Sequence, residues 1–427
     1  MNKFLKSIAL GAMLAATSLS AHAEQMTLKV YHAWAGHNHF HEAVADAFME
    51  QHPDIKIEFL ASGESYDFAH QQVVRDALTG NLPDVYHSGF HLLPELVHKL
   101  SRQGKIVDLT KFIDEAGGQA WIDENFEPSI INLTTVDGKV YGLPFNASTP
   151  IIFYNADLIE KAGGDLNHLP TDWDGWIALG HKIDALGDNI TGISYAVDAW
   201  PDDWLWRALI SQQGKPFMNA DGKTVAWDNE VGRNALELAR RFVTEGGMHQ
   251  MEFAQVKQQF TAGLTGITIQ SVNSARSFGE LAEGKFRLGS TVFPVSNTEA
   301  GKVPTGGNGA VITAQGAAKQ KAAWEYIKFA SSPEAQKIAV LGSGYMPTNK
   351  RAMAPGLLGD FYKEHPNWRT SLDQIDRAAP WESYPGTNAV EIWRTQRSII
   401  SEVMAGDISV DEGLKQMVEE TNDLIGK

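Results

Sequence analysis

Trp200, Trp204 and Trp206 flank Asp202 and Asp203, and Trp381 is followed by Glu382. Flat aromatic faces beside carboxylates suit polar ring compounds, because axial C–H groups stack on an indole while hydroxyls donate to the acid. Core packing is the other use of such residues. It fits Trp173 and Trp176, which open an amphipathic helix after Pro170-Thr171-Asp172. Trp34, Trp204 and Trp381 lie in turn-like polar segments and are the candidates for stacking on a ligand.

His32, His37, His39 and His41 fall within ten residues. On a strand His37, His39 and His41 would share a face, but helical periodicity begins near Phe40, and there only His37 and His41 could approach each other. Three readings stay open: a metal site, a solvated loop, and direct ligand contact from a strand-end loop. No acidic residue stands at a convincing ligand spacing beside them, and the chain has no cysteine.

Other chemistry lacks its motifs. The chain has no G-x-S-x-G elbow, no G-x-x-x-x-G-K-[ST] phosphate loop, no G-x-G-x-x-G after a strand and no H-E-x-x-H. An enzyme needing a marked nucleophile or a cofactor is therefore unsupported. Paired carboxylates for glycoside hydrolysis escape this test, since their separation of roughly 5–9.5 Å is a tertiary property.

The elements that must position these residues alternate. Met26–Tyr31 reads as a strand, Phe40, Val44, Ala47 and Phe48 share one helical face that stops near Pro53, and 55–60 reads as a second strand. A helix over 66–78 ends at Gly80, and Asp84–Tyr86 follows as a third strand. This βαβαβ opening predicts parallel pairing, with ligand sites at the carboxyl ends of the strands. Further on, 310–314 reads as a strand, and Ser332-Pro333-Glu334 as a capped helix start.

With 427 residues the chain exceeds the roughly 250–300 at which single cores stop growing, so at least two lobes are expected. A formal charge of −16, with no basic stripe, argues against nucleic acid as a partner. Lys3 and Lys6 precede an apolar run over 8–19 and then Ala21-His22-Ala23, which reads as a secretory signal peptide cleaved after Ala23. The expected product is soluble outside the cytoplasmic membrane, in a bacterial periplasm.

The segment Gly142-Leu-Pro-Phe-Asn-Ala-Ser-Thr-Pro-Ile-Ile-Phe-Tyr-Asn155, with Thr79-Gly-Asn-Leu-Pro-Asp84, Gly306-Gly307 and Gly344-Tyr-Met-Pro347 in order, resembles the extracellular solute-binding proteins (family 1) of ABC importers, above all their glycerol-3-phosphate-binding branch. The resemblance implies an α/β, two-lobed periplasmic binding protein fold of type II, maltose-binding-protein-like, with hinge strands near Asp137–Leu143, Pro294 and Ser332. The N-terminal lobe would take 24–140 and 295–332, and the C-terminal lobe 141–294 and 333–427.

Carried over from the branch, the contacts fall on Tyr66, Ser148, Ser274, Gly307, Tyr345 and Arg397. Serine hydroxyls and a glycine amide suit sugar or phosphate oxygens, and an arginine forks onto an oxyanion. His87 stands where the branch carries an acid, which leaves the solute open. With Trp34, His37, Trp204, Ser271 and Trp381 these complete the candidate ligand-binding set. The expected function is a monomeric, cofactor-free receptor that passes a sugar or glycerol-phosphate-type solute to the permease subunits of an ABC importer. The alternatives are a secreted carbohydrate-active enzyme and a metal-binding receptor built on His32–His41.

Overall fold

The computed structural model describes residues 25–386 and 388–425; the signal-peptide reading of 1–23 lies outside them. Its strands run in chain order as β1 Met26–Tyr31, β2 Ile55–Phe59, β3 Val85–Gly89, β4 Thr135–Val136, β5 Lys139–Val140, β6 Gly142–Ser148, β7 Pro150–Asn155, β8 Thr191–Ser194, β9 Thr265–Ser271, β10 Leu288–Thr291, β11 Val303–Ile312 and β12 Ala378–Pro380.

The opening is the expected βαβαβ. Helix Asn38–Gln51 buries Phe40, His41, Val44, Ala45 and Phe48 on one face and stops before Pro53. Helix Tyr66–Thr79 is capped by the Ser65 side chain, which accepts from the Phe68 amide, and Gly80 ends it with φ 78°. Strands β2, β1 and β3 pair in parallel, and β3 pairs antiparallel with β11, which also carries β6 and β12. A second sheet has the order β10-β7-β9-β8. Each sheet has its own core: Leu28, Val30, Val85 and Ile312 in the first lobe, and Trp176, Trp206, Trp227 and Phe242 in the second. Trp173 and Trp176 belong to this second core, and the Trp173 indole donates to Gln212 Oε1 at 2.6 Å.

Three connections cross between the lobes, and they lie later in the chain than the resemblance implied. Strand β6 stays paired with β11 as far as Ser148, so the first crossing is at Thr149 and not at Asp137–Leu143. Strand β11 is itself a crossing, because Val303 packs in the second core while Ala310 and Ile312 pack in the first. Helix Pro333–Ser343, capped by Ser332, packs Ala335 and Ala339 on Phe40 and Val44. It therefore belongs to the first lobe, and the return to the second falls beyond it. The sequence signal for β11 began only at Ala310 because Gly306-Gly307 reads as a turn. In fact Gly307, at φ 126°, lies inside the strand, where a Cβ would stand 2.2 Å from the Asn146 carbonyl oxygen.

Candidate functional site

The seam between the lobes holds a cavity of about 160 Å³. The first lobe supplies Trp34 and His37 from the turn after β1, Tyr66 from the first position of its helix, and Tyr345 from the loop after helix Pro333–Ser343. The crossing strands supply Ser148 at the end of β6 and Gly306-Gly307 in the middle of β11. The second lobe closes the chamber with Trp200, Asp202 and Trp204, with Phe253 and Lys257 from helix Phe253–Thr261, and with Ser271 and Asn273 at the end of β9. Trp381 follows β12 and forms the remaining wall.

Trp34, Trp204 and Trp381 thus all line the chamber. Trp34 holds a left-handed backbone, φ 69°, and its amide donates to the Gly63 carbonyl at 2.7 Å. Such a conformation in a non-glycine residue costs on the order of 1–3 kcal/mol and persists only where its surroundings impose it. The Trp204 indole donates to the Pro304 carbonyl at 3.0 Å, tying a second-lobe helix to a crossing strand. The Trp381 indole donates to Asp203 Oδ1 at 2.7 Å, and its ring stacks on His91 with centroids 3.7 Å apart. One face of Trp381 is therefore already covered.

Behind the first-lobe wall runs a hydrogen-bond chain. Asn308 Nδ2 donates to the Tyr66 hydroxyl and Asn308 Oδ1 faces His87 Nδ1, both at 3.2 Å. Burial pushes the Tyr345 hydroxyl up to about 12 while hydrogen bonds to Asn273 and Tyr66 pull the other way. Asn308, Tyr66, Tyr345 and Asn273 thus connect a crossing strand, the first lobe and the second lobe.

The charged wall residues are Asp202 and Lys257. Burial raises the Asp202 carboxyl well above the usual range, reinforced by Asp203 and Asp67; it accepts from the Trp204 amide at 3.2 Å. Burial lowers Lys257, which stands over the Phe253 ring at 4.8 Å. His37 is lowered to about 3, by burial first and then by His32, His39 and Lys257, so it is neutral at neutral pH.

Three candidates fall elsewhere. His87 is fully buried within β3 and reaches the chamber only through Asn308, so it is a support and not a wall. Ser274 is buried at the start of helix Ser274–Ala282; its neighbour Asn273 faces the cavity instead. Arg397 is exposed on helix Ala389–Ala405, whose apolar positions Ile392, Trp393, Ile399 and Ile400 turn the opposite face inward. The histidine run also divides. His37 lines the cavity, His39 bonds the Gly342 carbonyl at 2.7 Å, and His32 and His41 stack in the interior with centroids 3.9 Å apart. Among the described residues no group of three or more His, Cys, Asp or Glu is arranged to hold a metal ion.

The aromatic-acid cluster marks Trp200 and Asp202 in the sequence without assigning them a place at the site. Lys257 and Asn273 had no local signal, one lying mid-helix and the other in a strand-to-helix turn.

No helix among the described residues is long and apolar enough to cross a membrane. A binding protein of Brucella abortus (strain 2308) is 26% identical over 345 residues, 80% of each chain. The sn-glycerol-3-phosphate-binding periplasmic protein UgpB of Rhizobium meliloti (strain 1021) is 23% identical over 337 residues, 76% of each. Among solved structures, the sugar-binding protein MalE of Xanthomonas citri superposes with a TM-score of 0.77 at 20% identity, covering 94% of this chain and 98% of the other. UgpB of Mycobacterium tuberculosis in complex with glycerophosphocholine also gives 0.77, at 16% identity, over 92% and 98%. The two-lobed, maltose-binding-protein-like α/β fold is thus shared. The model of the bacterial extracellular solute-binding proteins matches residues 37–337, and the chain belongs to that family.

Proposed function

We propose that this protein is the periplasmic receptor of an ABC importer, capturing a sugar or an sn-glycerol-3-phosphate-type solute between its lobes and delivering it unaltered, as a monomer, to the permease. The observation that carries this reading is the seam cavity itself. Its walls come from both lobes, so a solute held there favours the closed arrangement by whatever contacts it makes to both. Aromatic faces (Trp34, Trp204, Trp381, Tyr66) alternate with hydroxyl, amide and charged groups (Ser148, Ser271, Asn273, Asp202, Lys257), which is the mixed lining a polyol needs. About 160 Å³ is below the ~300–1,000 Å³ of sites for larger ligands and suits one small unit.

The family and the structural neighbours are binding proteins, which supports a receptor over a hydrolase. The likeness of the relatives named sn-glycerol-3-phosphate-binding supports the phosphate-bearing solutes, and that of the sugar-binding neighbours supports the sugars. Thermal-shift screening of sugars, polyols and glycerol phosphates, followed by small-angle scattering with the best stabiliser, tests the reading. A bound compound should raise the melting temperature and shrink the radius of gyration. A scattering profile indifferent to a saturating ligand, or a ligand recovered chemically changed, would overturn it.

A further inference from the structure

Asp202 and Lys257 line the same cavity, and among the described residues neither forms an ion pair with a side chain of opposite charge. Arg207, which lines a small pocket with Asp202, is already taken by Asp203 at 2.6 Å. Asp203 and Asp67 stand behind Asp202, and His91 lies 3.5 Å from Asp67. That end of the chamber is an acidic corner faced with indole rings, Trp200 and Trp204 with centroids 5.7 Å apart and Trp204 and Trp381 6.4 Å apart. Lys257 stands over the Phe253 ring, which packs edge-on against Trp200 with centroids 4.9 Å apart, and its charge reaches the neutral His37.

These half-buried side chains, without an ion-pair partner, are shifted toward their uncharged forms, Asp202 upward and Lys257 downward. They become assets when a guest completes both. Indole faces attract an alkylated ammonium within about 6 Å of the ring, and an ammonium side chain serves as a point charge for a phosphate or carboxylate. We propose that the solute of this chamber is a dipolar ion, whose amine or quaternary ammonium meets Asp202 among the tryptophan rings and whose phosphate or carboxylate meets Lys257 beside His37. This narrows the receptor reading above and rests on it. A neutral sugar would supply neither group with an opposite charge.

Titration calorimetry on the purified protein tests it. The dipolar probes are glycerophosphocholine and glycine betaine, which differ in the source of the anion. Their singly charged counterparts are sn-glycerol 3-phosphate and choline, and the neutral probes are glucose and maltose. At least one dipolar probe is expected to bind tenfold or more tightly than either singly charged compound, and which one binds identifies the anion as phosphate or carboxylate. Lys257→Met should weaken that probe at least tenfold while leaving choline unaffected, and Asp202→Asn should weaken it while leaving sn-glycerol 3-phosphate unaffected. Should Asp202→Asn not fold, the comparison of probes on the unaltered chain and Lys257→Met carry the test. A neutral sugar that binds more tightly than both dipolar probes overturns the assignment but leaves the receptor function standing. If no probe in the panel binds, or one returns cleaved, both fall.

Discussion

Asn308 Nδ2 donates to the Tyr66 hydroxyl at 3.2 Å, so an interior side chain of a crossing strand sets the direction of a group on the chamber wall. The same amide meets His87 Nδ1 with its oxygen, and its backbone N–H donates to Asn146 Oδ1 at 3.1 Å. With Asn308 as its donor, the Tyr66 hydroxyl keeps its own proton for Tyr345 or for a solute oxygen.

Replacing Asn308 by leucine strands two buried partners at once. Leaving buried polar groups unsatisfied costs about 1–3 kcal/mol, so Asn308→Leu should lower the urea midpoint accordingly. Tyr66→Phe, which removes only the hydroxyl, should cost less stability but more affinity. An unchanged midpoint in Asn308→Leu would show that the chain of bonds does no structural work.

The interior histidines make stability pH-dependent. His87 is lowered to about 3 and His41 lies well below the usual value, both chiefly by burial. The unfolded chain takes up protons near 6.5 while the fold refuses them, so stability is present above 6.5 and lost as the pH falls toward 3. A fully buried histidine of this kind forfeits about 1.5 kcal/mol between pH 6.5 and 5. Calorimetric melting at pH 7 and pH 5 should show the drop, and His41→Phe should flatten it. Equal slopes in the two proteins would contradict this account. Asp202, raised by burial, acts in the opposite sense, since the unfolded chain loses its proton above the usual carboxyl range while the fold retains it.

Gly307 and Gly80 form a matched pair. Both have positive φ, 126° and 78°, but an added Cβ at Gly80 meets nothing within 4 Å while at Gly307 it meets Asn146 O at 2.2 Å. Gly80→Ala should cost the left-handed penalty alone, roughly 1–2 kcal/mol. Gly307→Ala should cost clearly more and disturb solute affinity, because it pushes β6 away from β11. Equal losses of melting temperature would refute the crowding.

Arg397→Ala should leave the affinity for every phosphorylated solute unchanged in titration calorimetry. The residue is exposed on the outer face of its helix, contrary to the role the resemblance implied. A tenfold loss would return it to the site.

Local patterns revealed the helices and parallel strands of the first lobe because their apolar periods are strong and their ends are marked, by Ser65 and Gly80 for one helix and by Pro53 after another. The seam was harder to read. Whether β6 belongs to one lobe or the other depends on its pairing with β11, a partner more than 150 residues away, and no property of its own sequence encodes that. The same limit applies to the site. Tryptophans in polar turns were conspicuous, and Trp34, Trp204 and Trp381 do meet at one cavity. Lys257 reads as an ordinary surface position in helix Phe253–Thr261 until the second lobe is placed. Arg397 misled because a motif match carries no information about which side of a helix faces inward.

Helix Pro333–Ser343 rides on the first lobe, and it carries Tyr345 with it. When the lobes separate, Tyr345 must leave with Tyr66 and part from Asn273, which lines the same cavity from the second lobe. Asp202, Lys257 and Asn273 withdraw together on the opposite jaw. A transporter that pries the jaws apart therefore strips the cargo of half its grip in a single stroke, without competing for each contact in turn.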